Sequence, residues 1–316
     1  MKQWYCYILL ILYIFALAVG ILGNIIALLN YMCCKKSWTT SQIFLFNLIL
    51  CDLAWILTLP FTIYINLRKP TAYETQTFCQ FKKIFFNINI YGSIFFLTLI
   101  SFDRFVGTVH PISSLQWWNQ GKAKMCSMFV WFVLFLGCIP DFFLAFAVKR
   151  QEHITICLDH IKGPFIYINI FCIIRTIIGF LIPFSVMISC YIMTVKVLRN
   201  LPKRNTNGRK SGKPLMLISA AIIVFIVSFV PYHIMIMTLI ILRIHKNVNM
   251  NNISTLSAAY EFLEGICSIS SCLDPILYIL ASERFQKNWL AMKQHTKTIC
   301  CFRRTRRVGV IKVTSS

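Results

Sequence analysis

The feature that most limits what this chain can become is a succession of seven long apolar stretches, at roughly 5–33, 39–66, 78–108, 124–148, 165–198, 214–242 and 255–280. A helix needs about 20 largely apolar residues to cross the hydrocarbon layer, and every stretch is long enough. Lipid offers the backbone no hydrogen-bond partners, so a spanning run must satisfy its own N–H and C=O groups as a helix or in a closed barrel. Runs this long and this uniformly apolar read as helices. The expected fold is all-α: a seven-transmembrane helix bundle over 1–282, then 283–316 as a short amphipathic eighth helix and basic tail. Lys2 precedes the first run as in a signal peptide, but the run continues to Leu29 without a clear cleavage context and is read as the first span.

Charge sets the orientation. Asp, Glu, Lys and Arg make up only 13% of the chain, yet its formal net charge is +22. Basic loops stay on the cytoplasmic side. With the N-terminus outside, the inner segments hold Lys35 and Lys36; Arg104, Lys122 and Lys124; seven basic residues from Lys196 to Lys213; and nine from Arg284 to Lys312. That is 21 of the 32 Lys and Arg, against the acids Asp103 and Glu283. A multi-pass protein of the plasma membrane follows, with its C-terminus in the cytoplasm. Attraction to anionic membrane lipid explains the basic excess, and no nucleic acid is needed.

Most of the fourteen cysteines lie inside apolar runs and act as small hydrophobes. Cys79 opens the third span, and 25 residues of helix carry Arg104 roughly 37 Å away, to the inner face. Cys79 can therefore meet Cys157 of the second outer loop in an oxidising exterior, and a disulfide is expected. Beyond the seventh span, Phe285, Trp289, Leu290 and Met292 among basic residues form the amphipathic stretch, and Cys300 and Cys301 after it are candidates for palmitoylation. Asn252-Ile253-Ser254 is a glycosylation sequon placed in the third outer loop.

Ionisable groups inside a bilayer are expensive and point to function. Asp52 lies mid-way along the second span and Asp274 in the seventh, with Asn24, Asn89 and Ser93 at comparable depth. Oxygen ligands suit hard cations, so Asp52, Asn89, Ser93 and Asp274 could hold a sodium ion as an allosteric modulator, or the two acids could share a proton. A purely structural hydrogen-bond network is the alternative. No other cofactor is expected.

Several motifs then coincide. Gly23-Asn24, Asn47-Leu48 with Asp52, Asp103-Arg104-Phe105, Trp131, Pro183 with Tyr191, Phe225 with Pro231, and Asp274-Pro275-Ile276-Leu277-Tyr278 occur in order, spread over all seven spans. The chain resembles the rhodopsin-like G-protein-coupled receptors. Within them it is most similar to the purinergic nucleotide receptors and their carboxylate-sensing relatives, through Asn89 to Thr98, Gly107 to Ile112, Phe229-Val230-Pro231-Tyr232-His233 and Ser271 to Pro275. The resemblance implies a receptor, not an enzyme, that passes an extracellular ligand signal to a heterotrimeric G protein. It also implies that Asp103 and Arg104 hold the inactive state, that Tyr191 and Tyr278 turn inward on activation, and that Phe225 is a packing switch.

The outer pocket departs from that pattern. Lys83, Phe86, Tyr91, Tyr232 and His233 match pocket positions of the nucleotide receptors, but a histidine is replaced by Asn87, a basic residue by Ile236 and an arginine by Glu264, while Arg175 is an added cation. Carboxylate in place of arginine repels phosphate. Glu264, three residues after Glu261, is expected to share an outer cavity with Lys83 and Arg175, either contacting ligand or pairing with Lys83, Lys82 or Arg175. Three function classes compete: a signalling receptor, a constitutively active or decoy receptor, and a transporter or light-driven pump. The pump is disfavoured because 255–280 contains no Lys to hold retinal.

Overall fold

A computed structural model describes residues 2–32, 38–68, 72–148, 165–200, 213–245 and 250–281. Every regular element among them is helical: α1 Lys2–Met32, α2 Thr40–Ile56, α3 Leu59–Arg68, α4 Ala72–Val109, α5 Pro111–Trp117, α6 Gln120–Val148, α7 Phe165–Thr176, α8 Ile182–Asn200, α9 Lys213–Ile244, α10 Met250–Cys267 and α11 Ser270–Ala281. A π-helical turn, Ile177–Leu181, joins α7 to α8 into one span. The expected amphipathic helix, Cys157, Cys300 and Cys301 lie outside the described residues, as do the side chains of Cys79 and Asn252.

Six of the apolar stretches form helices long enough to cross a membrane. The seventh crossing is built from two shorter pieces, α10 and α11, which meet at Ser268 and Ile269. A proline lies further along, inside α11. Pro275 has no N–H to give to the carbonyl four residues back, Ser271. The side-chain amide of Asn24 donates to that carbonyl instead, at 2.9 Å, so the first span satisfies what the proline leaves open. A Cβ on Gly23 would lie 2.5 Å from the Pro275 ring, which is why this crossing needs a residue without a side chain.

The second span begins with a capping box, in which Gln42 N–H donates to Thr39 Oγ1 and Thr39 N–H donates to the Gln42 side chain. It bends at Leu57 and Thr58, just before Pro60, and the Thr58 hydroxyl donates to the Trp55 carbonyl at 2.7 Å. In the fifth span the π turn precedes Pro183 and brings Gly179 so near the third span that a Cβ there would sit 2.7 Å from the Tyr91 ring.

The third span is the axle of the bundle. Its membrane segment is 72% buried, against 28% for the first and the fourth. On α9, Leu217, Ala221, Val224, Phe225, Ser228, Phe229, Tyr232 and Ile236 repeat every three or four residues and face inward. Met216, Ile223, Ile226, Val227 and Ile234 of the same helix face outward, as lipid requires.

Candidate functional site

Polar and aromatic groups lie in layers along the bundle. The outermost is ionic. Lys82 Nζ reaches Glu264 Oε2 at 2.7 Å, tying α4 to α10, and the ammonium also lies about 6 Å from the rings of Tyr13 and Trp55. Lys83, the next residue, turns the other way and meets Asp141 Oδ1 of α6 at 3.2 Å. Asp141 Oδ2 accepts from Arg175 Nη2 and from Asn87 Nδ2, each at 2.7 Å. The same Arg175 nitrogen donates at 2.6 Å to the carbonyl of Gly137, in the turn before Pro140. Of the partners expected for Glu264, namely ligand, Lys83, Lys82 or Arg175, the one it takes is Lys82. Consecutive lysines point about a hundred degrees apart on a helix, so Lys82 and Lys83 divide the acids between two sides of the bundle.

Asp141 is the residue that sequence reasoning missed. Its signal was present: an acid inside an apolar span, of the kind that singled out Asp52 and Asp274. What the sequence lacked was any sign that Asn87, Lys83 and Arg175 converge on it from two other helices.

Below this lies an aromatic layer. Phe86 is buried edge-on between Trp55 and Tyr232, with ring centroids 5.2 and 5.3 Å away. Tyr232 and Tyr260 bring their hydroxyls to 3.4 Å. Tyr91 packs edge-on to His233 and under the Arg175 guanidinium. His233 stacks on Phe180 at 4.1 Å, and Phe180 and Phe184 stack in turn on Phe225. The histidine Nδ1 is bonded to the Phe229 carbonyl at 2.9 Å, while its Nε2 is buried with no hydrogen-bond partner among the described residues. Ile236 is part of the apolar core, and Glu261 is half-buried on α10.

The middle layer is the buried polar network. Asp52 Oδ1 accepts from Asn89 Nδ2 at 3.1 Å and from the Ser271 hydroxyl at 2.9 Å. The Tyr278 hydroxyl lies 3.2 Å from both Asp52 Oδ2 and Asn24 Oδ1, donating to one at a time. Asp274 faces Asp52. Both Asp274 oxygens, Asn89 Oδ1 and Ser93 Oγ are buried without a hydrogen-bond partner among the described residues. Buried oxygens on two carboxyl and two neutral side chains are a donor set that fits a hard cation such as sodium, and two facing carboxyl groups equally fit one shared proton.

At the inner face, Asp103 of α4 accepts from Thr40 and Ser41 of α2 and from Trp118 Nε1, the last at 2.8 Å. Arg104 Nε stands 4.0 Å from Asp103 Oδ2, and its terminal nitrogen donates to Ser41. Ser41 thus stands between the two halves of the motif. Trp118, which the motif reading did not include, packs its ring edge-on to Phe102 and near Phe44. Phe225 is fully buried, whereas Tyr191 is half-buried on α8 and is not part of the Asp52 network that holds Tyr278.

Comparison with known proteins agrees with this architecture. Residues 23–278 match the family described as 7 transmembrane receptor (rhodopsin family). The chain is 32% identical to purinoceptor 1 of Gallus gallus over 291 residues, which is 89% of this chain and 78% of that one. It is 30% identical to the human (Homo sapiens) purinoceptor 1, covering 89% and 76% of the two chains. Purinoceptor 3 of Gallus gallus is 30% identical, covering 80% and 78%.

Proposed function

This chain belongs to the rhodopsin family of seven-transmembrane receptors, and we propose that it signals from the plasma membrane, carrying the binding of an extracellular ligand to a heterotrimeric G protein. The N-terminus is outside and the tail cytoplasmic, where Cys300 and Cys301 would anchor the amphipathic stretch to lipid. Ligand enters among Lys83, Asn87, Tyr91, Arg175, Tyr232 and His233, and the G protein meets Arg104.

The observation that carries this reading is the buried network of Asn24, Asp52, Asn89, Ser271 and Tyr278, which links the first, second, third and seventh spans midway between the two faces. A sodium ion held by Asp52, Asn89, Ser93 and Asp274 would favour the arrangement in which Tyr278 is bonded inside. A ligand that prefers the other arrangement shifts the equilibrium by its difference in affinity for the two. Guanine-nucleotide exchange on purified G proteins, measured with membranes from expressing cells, tests it. Absence of exchange with every G-protein class, with and without added ligand, would exclude signalling.

The relatives are named purinoceptors, and a purine ligand is the natural first candidate. The outer layer supports a different one. With Glu264 on Lys82 and Asp141 on Lys83 and Arg175, the charges that would grip a polyphosphate already hold each other. Nucleoside di- and triphosphates are accordingly proposed to be poor agonists. The same self-pairing favours, as a second reading, a constitutively active or decoy receptor. Exchange in the absence of any ligand separates the signalling forms, and a decoy gives none.

A further inference from the structure

We propose that the seat of the Lys82 ammonium, between the first, second, third and seventh spans, is a binding subsite for the primary ammonium head of a small organic cation, and that Lys82 is its built-in competitor. The site lies on the other side of the bundle from the cluster around Asp141 and goes beyond the signalling reading.

The first argument is the make-up of the seat. Lys82 Nζ reaches Glu264 Oε2 at 2.7 Å and lies 5.8 Å from the centre of the Tyr13 ring and 6.0 Å from the Trp55 ring. A carboxylate takes an N–H of an ammonium group in a charge-assisted hydrogen bond, and the negative faces of aromatic rings attract its charge. Any primary ammonium on an alkyl stem meets the same demands. The Tyr13 hydroxyl, moreover, is buried with no hydrogen-bond partner among the described residues, so a further polar group beside the seat remains unused.

The second argument is preorganisation, because the walls of the seat are held by contacts that do not involve Lys82. Trp55 Nε1 donates to the Ser268 hydroxyl at 2.8 Å, and that hydroxyl donates to the Glu264 carbonyl at 3.2 Å. The indole is thereby fixed to the turn of α10 that carries the acid, and Phe86 packs edge-on against it from the third span. Tyr13 closes on the same turn: a Cβ on Gly265 would lie 3.9 Å from its ring and 2.5 Å from the neighbouring Leu12. Walls fixed beforehand lower the cost of binding.

The third argument is the balance of the exchange. Glu264 is buried, and a buried carboxylate needs a cation. Lys82 is the one cation that pairs with it among the described residues. A monocation from outside replaces it one for one, so the buried charge is unchanged whatever the neighbours carry. An anion would break the pair without replacing it. Lys82 also has somewhere to go. It precedes Arg104 by 22 residues, roughly 33 Å of helix, and so lies at the outer end of its span. Its side chain is partly exposed, and a four-carbon stem can carry the ammonium into water. A free cation would then fill the seat without tying the third span to the seventh.

The test uses purified full-length receptor in nanodiscs and reads thermal stabilisation with no G protein present, so the outcome does not depend on signalling. The probes are the straight-chain primary ammonium ions from methyl- to hexylammonium, set against the matching alcohols and the matching trimethylammonium ions. The last carry the same charge into the same membrane but have no N–H for Glu264. Primary ammonium ions should stabilise the parent receptor at concentrations at least roughly tenfold below those of either counterpart, the difference one charge-assisted hydrogen bond makes. Lys82→Ala removes the tethered competitor, whose effective concentration is of millimolar order. In that variant n-propylammonium, which supplies the atoms removed, should act at concentrations at least about tenfold lower than in the parent. Glu264→Gln should abolish the effect in both backgrounds. Nα-acetyl-lysine amide presents the same head on a peptide; if it acts at lower concentration than butylammonium, the occupant is peptide-borne, and if at higher, a free amine. Equal stabilisation by alcohols or trimethylammonium ions, or persistence of the effect in Glu264→Gln, overturns the proposal. So does an ammonium ion that stabilises Lys82→Ala but never the parent, since Lys82 would then be a fixed strut that nothing displaces. Should Lys82→Ala fail to accumulate, the parent set against Glu264→Gln carries the same decision.

Discussion

Lys82 Nζ lies 2.7 Å from Glu264 Oε2, and this one contact joins the third span to the seventh above the buried network. The two side chains are 14% and 7% exposed, so neither charge is well hydrated. Removing one partner of such a pair leaves the other buried and uncompensated. Glu264→Gln should therefore destabilise the receptor by about 3 kcal/mol, the lower end for buried pairs. Lys82→Met with Glu264→Leu should recover most of that loss, because no charge is left to desolvate. Melting temperatures of the detergent-solubilised single and double variants decide it, and a double variant no more stable than Glu264→Gln would deny the pair its role.

Asp52→Asn is expected to flatten the sodium dependence of agonist affinity. The substitution keeps the size and the hydrogen-bonding reach of the side chain but removes one ionisable carboxyl group from the oxygen set. Radioligand or thermal-shift titrations in sodium against choline chloride measure it, and a wild-type-like sodium response in Asp52→Asn removes the ion from the site.

Arg104→Ala is expected to leave ligand binding within a few-fold of the parent while eliminating guanine-nucleotide exchange. The residue bonds Ser41 at the inner face, and the outer cluster reaches none of its atoms. Normal exchange from a well-expressed Arg104→Ala receptor is the outcome that would dismiss this assignment.

Trp118→Phe tests the inner lock from a side that the motif does not reveal. The phenyl ring keeps the contacts with Phe102 and Phe44, but the 2.8 Å bond from Nε1 to Asp103 is lost. A hydrogen bond to a charged group contributes roughly 1.5–3 kcal/mol. If the active arrangement releases Asp103, basal exchange should rise about tenfold or more. Unchanged or lower basal exchange at equal surface expression would mean that Asp103 is held equally in both states.

Adenosine diphosphate is expected to be a poor agonist of this receptor, since Glu264 already holds Lys82 and Asp141 already holds Lys83 and Arg175. Glu264→Arg with Ile236→Lys should move the response towards polyanions. It should also lower surface expression, since the new arginine would face Lys82 and the new lysine would enter the apolar core. High-potency activation of the unmodified receptor by adenosine diphosphate would show that the ion pairs open for phosphate.

Seven apolar runs, the lopsided placement of Lys and Arg, and the ordered motifs from Asn24 to Tyr278 were enough to determine the helical class, the number of crossings and the family. They are legible because a bilayer leaves the backbone so few choices that length and hydropathy alone select the element. The grouping of Asp52 with Asn89 was legible as well, since polar groups stranded at one depth must find each other, whereas the bond from Tyr278 to Asp52 was not. Which lysine takes which acid was decided only in the tertiary structure. Lys82 and Lys83 are adjacent and alike in sequence, and only the rotation of α4 against α6, α7 and α10 sends one to Glu264 and the other to Asp141. Asp141 became the centre of the outer cluster for the same reason: two other helices bring Lys83, Asn87 and Arg175 to one carboxylate, and hydropathy carries no record of which face of a helix meets which neighbour.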